Sequence, residues 1–141
     1  MKVAHILEKK GYQVFSVTRN STVLDAIKIL SEKNIGALPV IEEGRLLGIF
    51  SERDYARKIV LRGKASADTP VAEIMTENPF TVTPDQTLDD CMAIMGDKNI
   101  RHLPVVLENA VVGMISVSDV VKAIIQSQRE TIDHLQHYIT Q

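Results

Sequence analysis

The residues in this chain best placed to do chemistry are two matched sets, Ser51-Glu52-Arg53-Asp54 and Ser116-Val117-Ser118-Asp119. Each follows a glycine and two apolar residues, as at the end of a strand, and each opens a helical pattern. Serine at a helix N-cap with aspartate three residues on is a capping box, which satisfies backbone donors without any ligand. The same geometry leaves helix N–H groups that suit a phosphate. An acidic side chain in that place can accept hydrogen bonds from both hydroxyls of a ribose. Local pattern leaves both readings open. Support for catalysis is thin: the chain has no Gly-x-Ser-x-Gly, no Walker loop, no Gly-x-Gly-x-x-Gly and no His-Glu-x-x-His. His102 and Asp119 could pair as base and orienter, but no activated nucleophile accompanies them. Cys91 is the single cysteine, on the apolar side of a helix, and reads as a core filler that can form no intrachain disulfide. His134 and His137 are half a metal site with no further ligand nearby in sequence, so no metal is expected.

The elements that position these sets come as a duplication. Shifted by 65 residues, Thr22–Ile59 lies over Thr87–Ile124 without a gap, and 14 of the 38 positions are identical, too many for coincidence. Ahead of each copy, Val3-Ala4-His5-Ile6-Leu7 echoes Val71-Ala72-Glu73-Ile74-Met75 at a spacing of 68, so the first copy carries three extra residues near Lys9–Tyr12.

Each copy predicts the same order of elements. A short helix comes first, opened in the second copy by Asp68 or Thr69 with Pro70 in its first turn. A brief strand follows, Val14–Val17 or Phe80–Val82. Next is an amphipathic helix capped by Thr22 with Asp25 completing a box, its apolar face formed by Val23, Ala26, Ile27 and Leu30. The twin helix repeats this with Leu88, Cys91, Met92 and Met95. Two strands joined by a tight turn come after it, Ala37–Ile41 with Leu46–Phe50, and His102–Leu107 with Val111–Ile115. A last helix starts at Ser51 or Ser116. Arg62–Thr69 reads as a linker. One such unit is marginal alone, and two can bury their sheets against each other around a pseudo-two-fold axis. Beyond the repeat, a helix from Ser118 to about Tyr138 carries a thin stripe (Val121, Ile125, Gln128, Ile132, Leu135, Ile139) of coiled-coil type. It packs either on the chain's own body or on another copy.

Composition sets the outer bounds. The 141 residues are 45% hydrophobic and 24% charged, an ordinary globular balance. A net charge of -2, from 16 basic and 18 acidic residues, excludes a bulk electrostatic grip on nucleic acid or anionic membrane. No signal-peptide core or membrane-length apolar run is present, so a soluble cytoplasmic protein is expected.

Glycine-apolar-apolar-Ser-x-x-Asp occurs twice, each time after an Asn-Ile-x-x-Leu-Pro-Val segment at the same distance. This arrangement resembles the CBS domain, the cystathionine β-synthase type of repeat, two of which form a Bateman module. The resemblance runs from about Val3 to Ile125 and implies an α/β (α+β) fold of two β-α-β-β-α units packed sheet to sheet. It implies domains at residues 1–65 and 69–126, with a C-terminal helical extension at 127–141. It implies two clefts for adenosine-containing ligands: AMP first, with ADP, ATP, NAD or S-adenosylmethionine as competitors. Asp54 and Asp119 would hold ribose hydroxyls, beside Ser51, Ser116 and Ser118. Thr18 and Thr83 after the first strands, Gly36 and Ala37, Arg101 and His102, and Pro39 and Pro104 of the Leu-Pro-Val strands would line the base pockets. Arg101, His102 and Arg53 would form a basic cluster for phosphates, whereas Gly36 and Ala37 depart from that pattern. Arg57 and Lys122, one turn after the aspartates, are either phosphate partners or plain surface charges, with surface charge the favoured reading. The implied function is a non-enzymatic regulatory module that pairs into a homodimer through its helices and acts on an unknown effector protein. The alternative is a structural or protein-interaction module in which both Ser-x-x-Asp sets are caps.

Overall fold

A computed structural model describes residues 1–140. The elements run α1 (Val3–Lys10), α2 (Val23–Lys33), β1 (Ala37–Glu42), β2 (Arg45–Ser51), α3 (Glu52–Asp54), β3 (Thr76–Glu77), α4 (Leu88–Lys98), β4 (His102–Leu107), β5 (Ala110–Ser116) and α5 (Val117–Thr140). The duplication is kept in space. β1 and β2 form one antiparallel hairpin and β4 and β5 the other, each turning through two residues at positive φ, Glu43-Gly44 and Glu108-Asn109. Those angles suit the right-handed twist of the strands they join. The long helices of the two copies are capped by threonine hydroxyls. Thr22 takes the Asp25 N–H at 3.1 Å, and in α4 both halves of the box close between Thr87 and Asp90. Both helices end on an asparagine in the left-handed conformation, Asn34 or Asn99.

Three sequence expectations change in the fold. The strands expected at Val14–Val17 and Phe80–Val82 shrink to single parallel bridges, Val17 to Val40 and Val82 to Val105. Val17 N–H donates to the Pro39 carbonyl and Ile41 N–H to the Val17 carbonyl. A longer ladder would next need an N–H from Pro39, which has none; Pro104 stops the second copy in the same way.

The leading helices also differ. Val3–Lys10 is a full α-helix ending before Gly11, with Lys9 and Lys10 favourably placed at its C-terminus. Val71–Glu73 is one 3-10 turn, with Pro70 as its extended N-cap rather than in its first turn. Asn78-Pro79 bars helix continuation there, and Thr76-Glu77 instead adds an edge strand to β2. Finally, the helix after Ser51 leaves α geometry at Tyr55 and runs as a π-helix to Val60, whereas α5 is continuous over 24 residues.

The leaders are exchanged between the copies. Val3, Ile6 and Leu7 pack with Val82, Leu88, Cys91, Met95, Leu103, Val105, Ile115 and Val120. Val71 and Ile74 pack with Val17, Val23, Leu30, Leu38, Val40, Phe50 and Ile59. Backbone bonds match the exchange: Val3 N–H to the Gln86 carbonyl has its twin in Val71 N–H to the Ser21 carbonyl. The Cys91 thiol is inside the first of these cores, where burial, with the Asp90 charge second, pushes its pKa up.

Glycines 48 and 113 sit where the exchanged leaders press on the hairpins. A Cβ on Gly48 would lie 2.6 Å from the Thr76 carbonyl oxygen, and one on Gly113 would lie 2.5 Å from a Leu7 methyl. Main chain yields less readily than a side-chain end. Gly48→Ala is therefore expected to cost about 1–3 kcal/mol and more than Gly113→Ala, as read by urea denaturation of the two variants.

Candidate functional site

Among the described residues, the aspartate of the first Ser-x-x-Asp set is the one charged side chain in the core, with 6% of its surface exposed. A carboxylate held this far from water needs partners for both oxygens. Its Oδ2 accepts the Ser51 N–H and hydroxyl, each at 3.1 Å, and the Asp54 N–H donates back to Ser51 Oγ at 3.1 Å. Its Oδ1 takes the Thr76 hydroxyl at 3.2 Å and the Lys58 ammonium at 3.0 Å. Lys58 also donates to the Ile74 carbonyl at 2.9 Å, tying the helix after β2 to the exchanged leader.

Asp119 repeats the cap and changes the cation. Ser116 N–H donates to Oδ2 at 2.9 Å, and Asp119 N–H donates to Ser116 Oγ at 3.1 Å. Its ammonium comes from Lys10 at the end of α1, at 2.8 Å, and that lysine also donates to the Met114 carbonyl at 2.8 Å. Burial pushes the Asp119 carboxyl up, but the Lys10 and Ser116 hydrogen bonds and the Lys10 charge outweigh it and hold the pKa below its ordinary value.

Between the copies, at the Asp54 corner, lies a cleft of about 760 Å³, of the size that takes small organic ligands. One wall is Ser51, Arg53, Asp54 and Arg57; the other is Ile100, Arg101 and His102, with Thr76, Asn78 and Phe80 along the floor and rim. Gly36 allows the walls to approach, since a Cβ there would lie 3.0 Å from His102 Nε2. Arg53 donates to the carbonyl of Asn99, the C-cap of α4, at 2.7 Å. That bond crosses from one copy to the other and places a cation at the negative end of a helix. His102 is lowered in pKa, first by burial and then by Lys10, with Arg101 and Arg53 adding and Asp119 opposing. It thus lies within the field of the Lys10–Asp119 pair and of Arg101 and Arg53 in the cleft.

The cleft brings together Gly36, Ser51, Arg53, Asp54, Arg101 and His102 of the expected site residues. Ser116, Ser118 and Asp119 lie at the twin corner. Thr18 and Thr83 fall outside the cleft, in exposed turns that bond to Ser21 and Gln86 ahead of the long helices. Ala37, Pro39 and Pro104 are buried in their strands. Arg57, expected as a surface charge, lines the cleft. Lys58, Thr76, Phe80 and Lys10 were not expected. Lys58 was findable, four residues after Asp54 on the same helix; the others arrive through tertiary structure. Among the described residues no three His, Cys, Asp or Glu side chains could share a metal ion, and no helix is long and apolar enough to cross a membrane.

The family model described as the CBS domain matches residues 3–61 and 71–126. The chain belongs to the CBS domain family. The expected fold of two such repeats with a C-terminal helix holds as well. A CBS-domain protein of solved structure from Burkholderia ambifaria is 45% identical, with a TM-score of 0.86, over 91% of this chain and 96% of its own. The mitochondrial CBS domain-containing protein CBSX3 of Arabidopsis thaliana is 42% identical over 86% of this chain, which spans only 62% of that relative's length. The CBS domain pair of protein MJ0100, solved in complex with 5′-methylthioadenosine and S-adenosyl-L-methionine, is 29% identical with a TM-score of 0.79, over 90% of this chain and 98% of that one.

The two lowered pKa values in this CBS pair set one pH response. Asp119 is depressed in the folded state, so its stabilisation is present above the unfolded carboxyl pKa and is lost as pH falls through the folded value. His102 is depressed too, so the unfolded chain binds the proton first and stability also falls as pH drops below about 6.5. Lys10→Met is expected to lower Tm near pH 7, to close the gap to the parent chain in acid, and to raise the Asp119 carboxyl midpoint in an NMR titration.

Proposed function

We propose that this CBS pair is a regulatory module that binds a phosphate-bearing adenine nucleotide in the cleft beside Asp54, with AMP first and ATP and NAD as competitors. One observation carries this reading. A single cleft of nucleotide size has a buried, fully bonded carboxylate at one end and Arg53, Arg57, Arg101 and His102 around it. On binding, ribose hydroxyls take over the Oδ1 bonds now made by Thr76 and Lys58. The phosphate meets the guanidinium groups, whose forked donors suit it bidentately. Phe80, about half exposed at the rim, offers a ring face for the base. The relative MJ0100 binds adenosyl compounds without phosphate, which supports the adenosine half of the reading. The arginines argue for a phosphate in place of its sulfonium ligand.

The module acts as a sensor rather than a catalyst. Lys58 joins Asp54 to the Ile74 carbonyl, so a ligand that displaces Lys58 loosens the hold of one repeat on the other's leader. A ligand with different affinity for the two arrangements shifts their populations, and a partner protein reads the shift. The competing reading, caps with no ligand, draws on the same hydrogen bonds, because both aspartates already satisfy their own helix starts.

Calorimetry separates the two. AMP is expected to bind the purified chain, stripped of carried-over ligand, and Asp54→Ala is expected to abolish the heat. Arg101→Ala, on an exposed corner, is expected to weaken AMP by about 10- to 100-fold while leaving adenosine unchanged. No heat with AMP, ATP or NAD in folded protein decides for the caps.

A further inference from the structure

Among the described residues lining the cleft, His102 is the one whose ordinary pKa lies near neutrality. It stands half-buried at the start of β4, where the two copies meet. Gly36 faces it: a Cβ there would lie 3.0 Å from Nε2 and 3.1 Å from Cε1, so bare backbone leaves that ring edge its room. Charged groups reach the ring from several elements. Lys10 comes from α1, Asp119 from α5, Arg53 from α3 and Arg101 from the adjacent position. Glu52, Asp54, Arg57 and Glu77 line the same cleft. Three of the four groups acting on the ring are cations, and burial works in their direction. Asp119, the one anion among them, is paired with Lys10 at 2.8 Å, so its pull is offset. The imidazole of the free chain is therefore neutral at pH 7, in a wall otherwise rich in cations.

We propose that His102 takes up a proton when a phosphate group enters the cleft and stays neutral when an uncharged nucleoside does, so that one proton discriminates nucleotide from nucleoside. The role rests on the nucleotide reading of the cleft. A phosphate monoester carries about 1.5 to 2 negative charges at pH 7. Set among Arg53, Arg101 and His102, that charge offsets the cations that hold the ring neutral, and its oxygens accept a charge-assisted hydrogen bond from an imidazolium. The proton comes from solvent and rests on a ring nitrogen; no bond of the ligand changes. A nucleoside removes water from the ring and brings no charge, which favours the neutral form further. Linkage is reciprocal: a ligand that tightens proton binding is itself bound more tightly where the proton is available. His102 therefore contributes more to nucleotide affinity as pH falls from 8 towards 6, and nothing of the kind to nucleoside affinity.

NMR of the full chain reads the ring directly. Either His102→Gln or His102→Asn identifies its signal among the four histidines. At pH 7, saturating AMP is expected to move that signal towards the imidazolium position and to raise its titration midpoint, whereas adenosine is expected to leave the ring neutral. Calorimetry gives the second measure. The ratio of AMP affinities, unsubstituted chain over His102→Gln, is expected to rise about three- to tenfold between pH 8 and pH 6. The phosphate's own titration cancels in that ratio. A midpoint that stays or drops when AMP binds, an equal rise with adenosine, or a ratio flat with pH overturns the role and leaves the nucleotide reading standing. No response of any cleft signal to AMP or adenosine overturns both.

Discussion

A carboxylate with almost no access to water must be surrounded by donors, and Asp54 meets that demand with four atoms from three residues. Two come from Ser51, its N–H and its hydroxyl, and the other two, from Thr76 and Lys58, tie it to the second repeat's leader. Removing water from the charge is costly, and leaving it unpaired costs more, so the group fixes everything around it. The start of the helix after β2, the docking of Thr76 on the sheet and the side wall of the cleft are therefore set by a single ionised group. The same group is the one best placed to exchange its partners for ligand hydroxyls.

Duplication gives the molecule two such corners, and three extra residues make them unlike. In the first copy the cation lies four residues along the same helix; in the second it comes from α1, whose added length carries Lys10 across to Asp119 and Met114. Lys58 has alanine, Ala123, as its repeat counterpart, so the second helix has no cation four residues after its aspartate. The physical need is common to both corners while the source of the cation differs. Likewise, Asn78-Pro79 turns one leader into a strand where the other continues as helix, and that strand forms the floor of the cleft beside Asp54. Asymmetry between the two corners thus arises from chain length, one proline and the exchanges of Lys58 for Ala123 and of Gly36-Ala37 for Arg101-His102, while the Ser-x-x-Asp cap is common to both.

What could be read from the chain were features whose cause is local. The two long helices, their threonine caps and asparagine ends, both hairpins and both Ser-x-x-Asp caps follow from residues within about four positions of one another, where propensity and capping act. Cys91 as core follows from its place on an apolar face. The first strands fall short of Val14–Val17 and Phe80–Val82 because a longer ladder needs an N–H that Pro39 and Pro104 do not have.

Sequence alone determined that the chain is two copies of one α/β unit and that a serine and an aspartate open the last helix of each, because repeat identity and capping chemistry are both written in neighbouring residues. Only the tertiary structure decided that each copy lends its leader to the other's core, that Lys10 reaches an aspartate 109 residues away, and that Arg53, Arg57, Arg101 and His102 face one space. Those contacts join segments far apart in sequence, and the burial of apolar leaders that drives them is non-directional, so no local pattern announces which partner will be chosen.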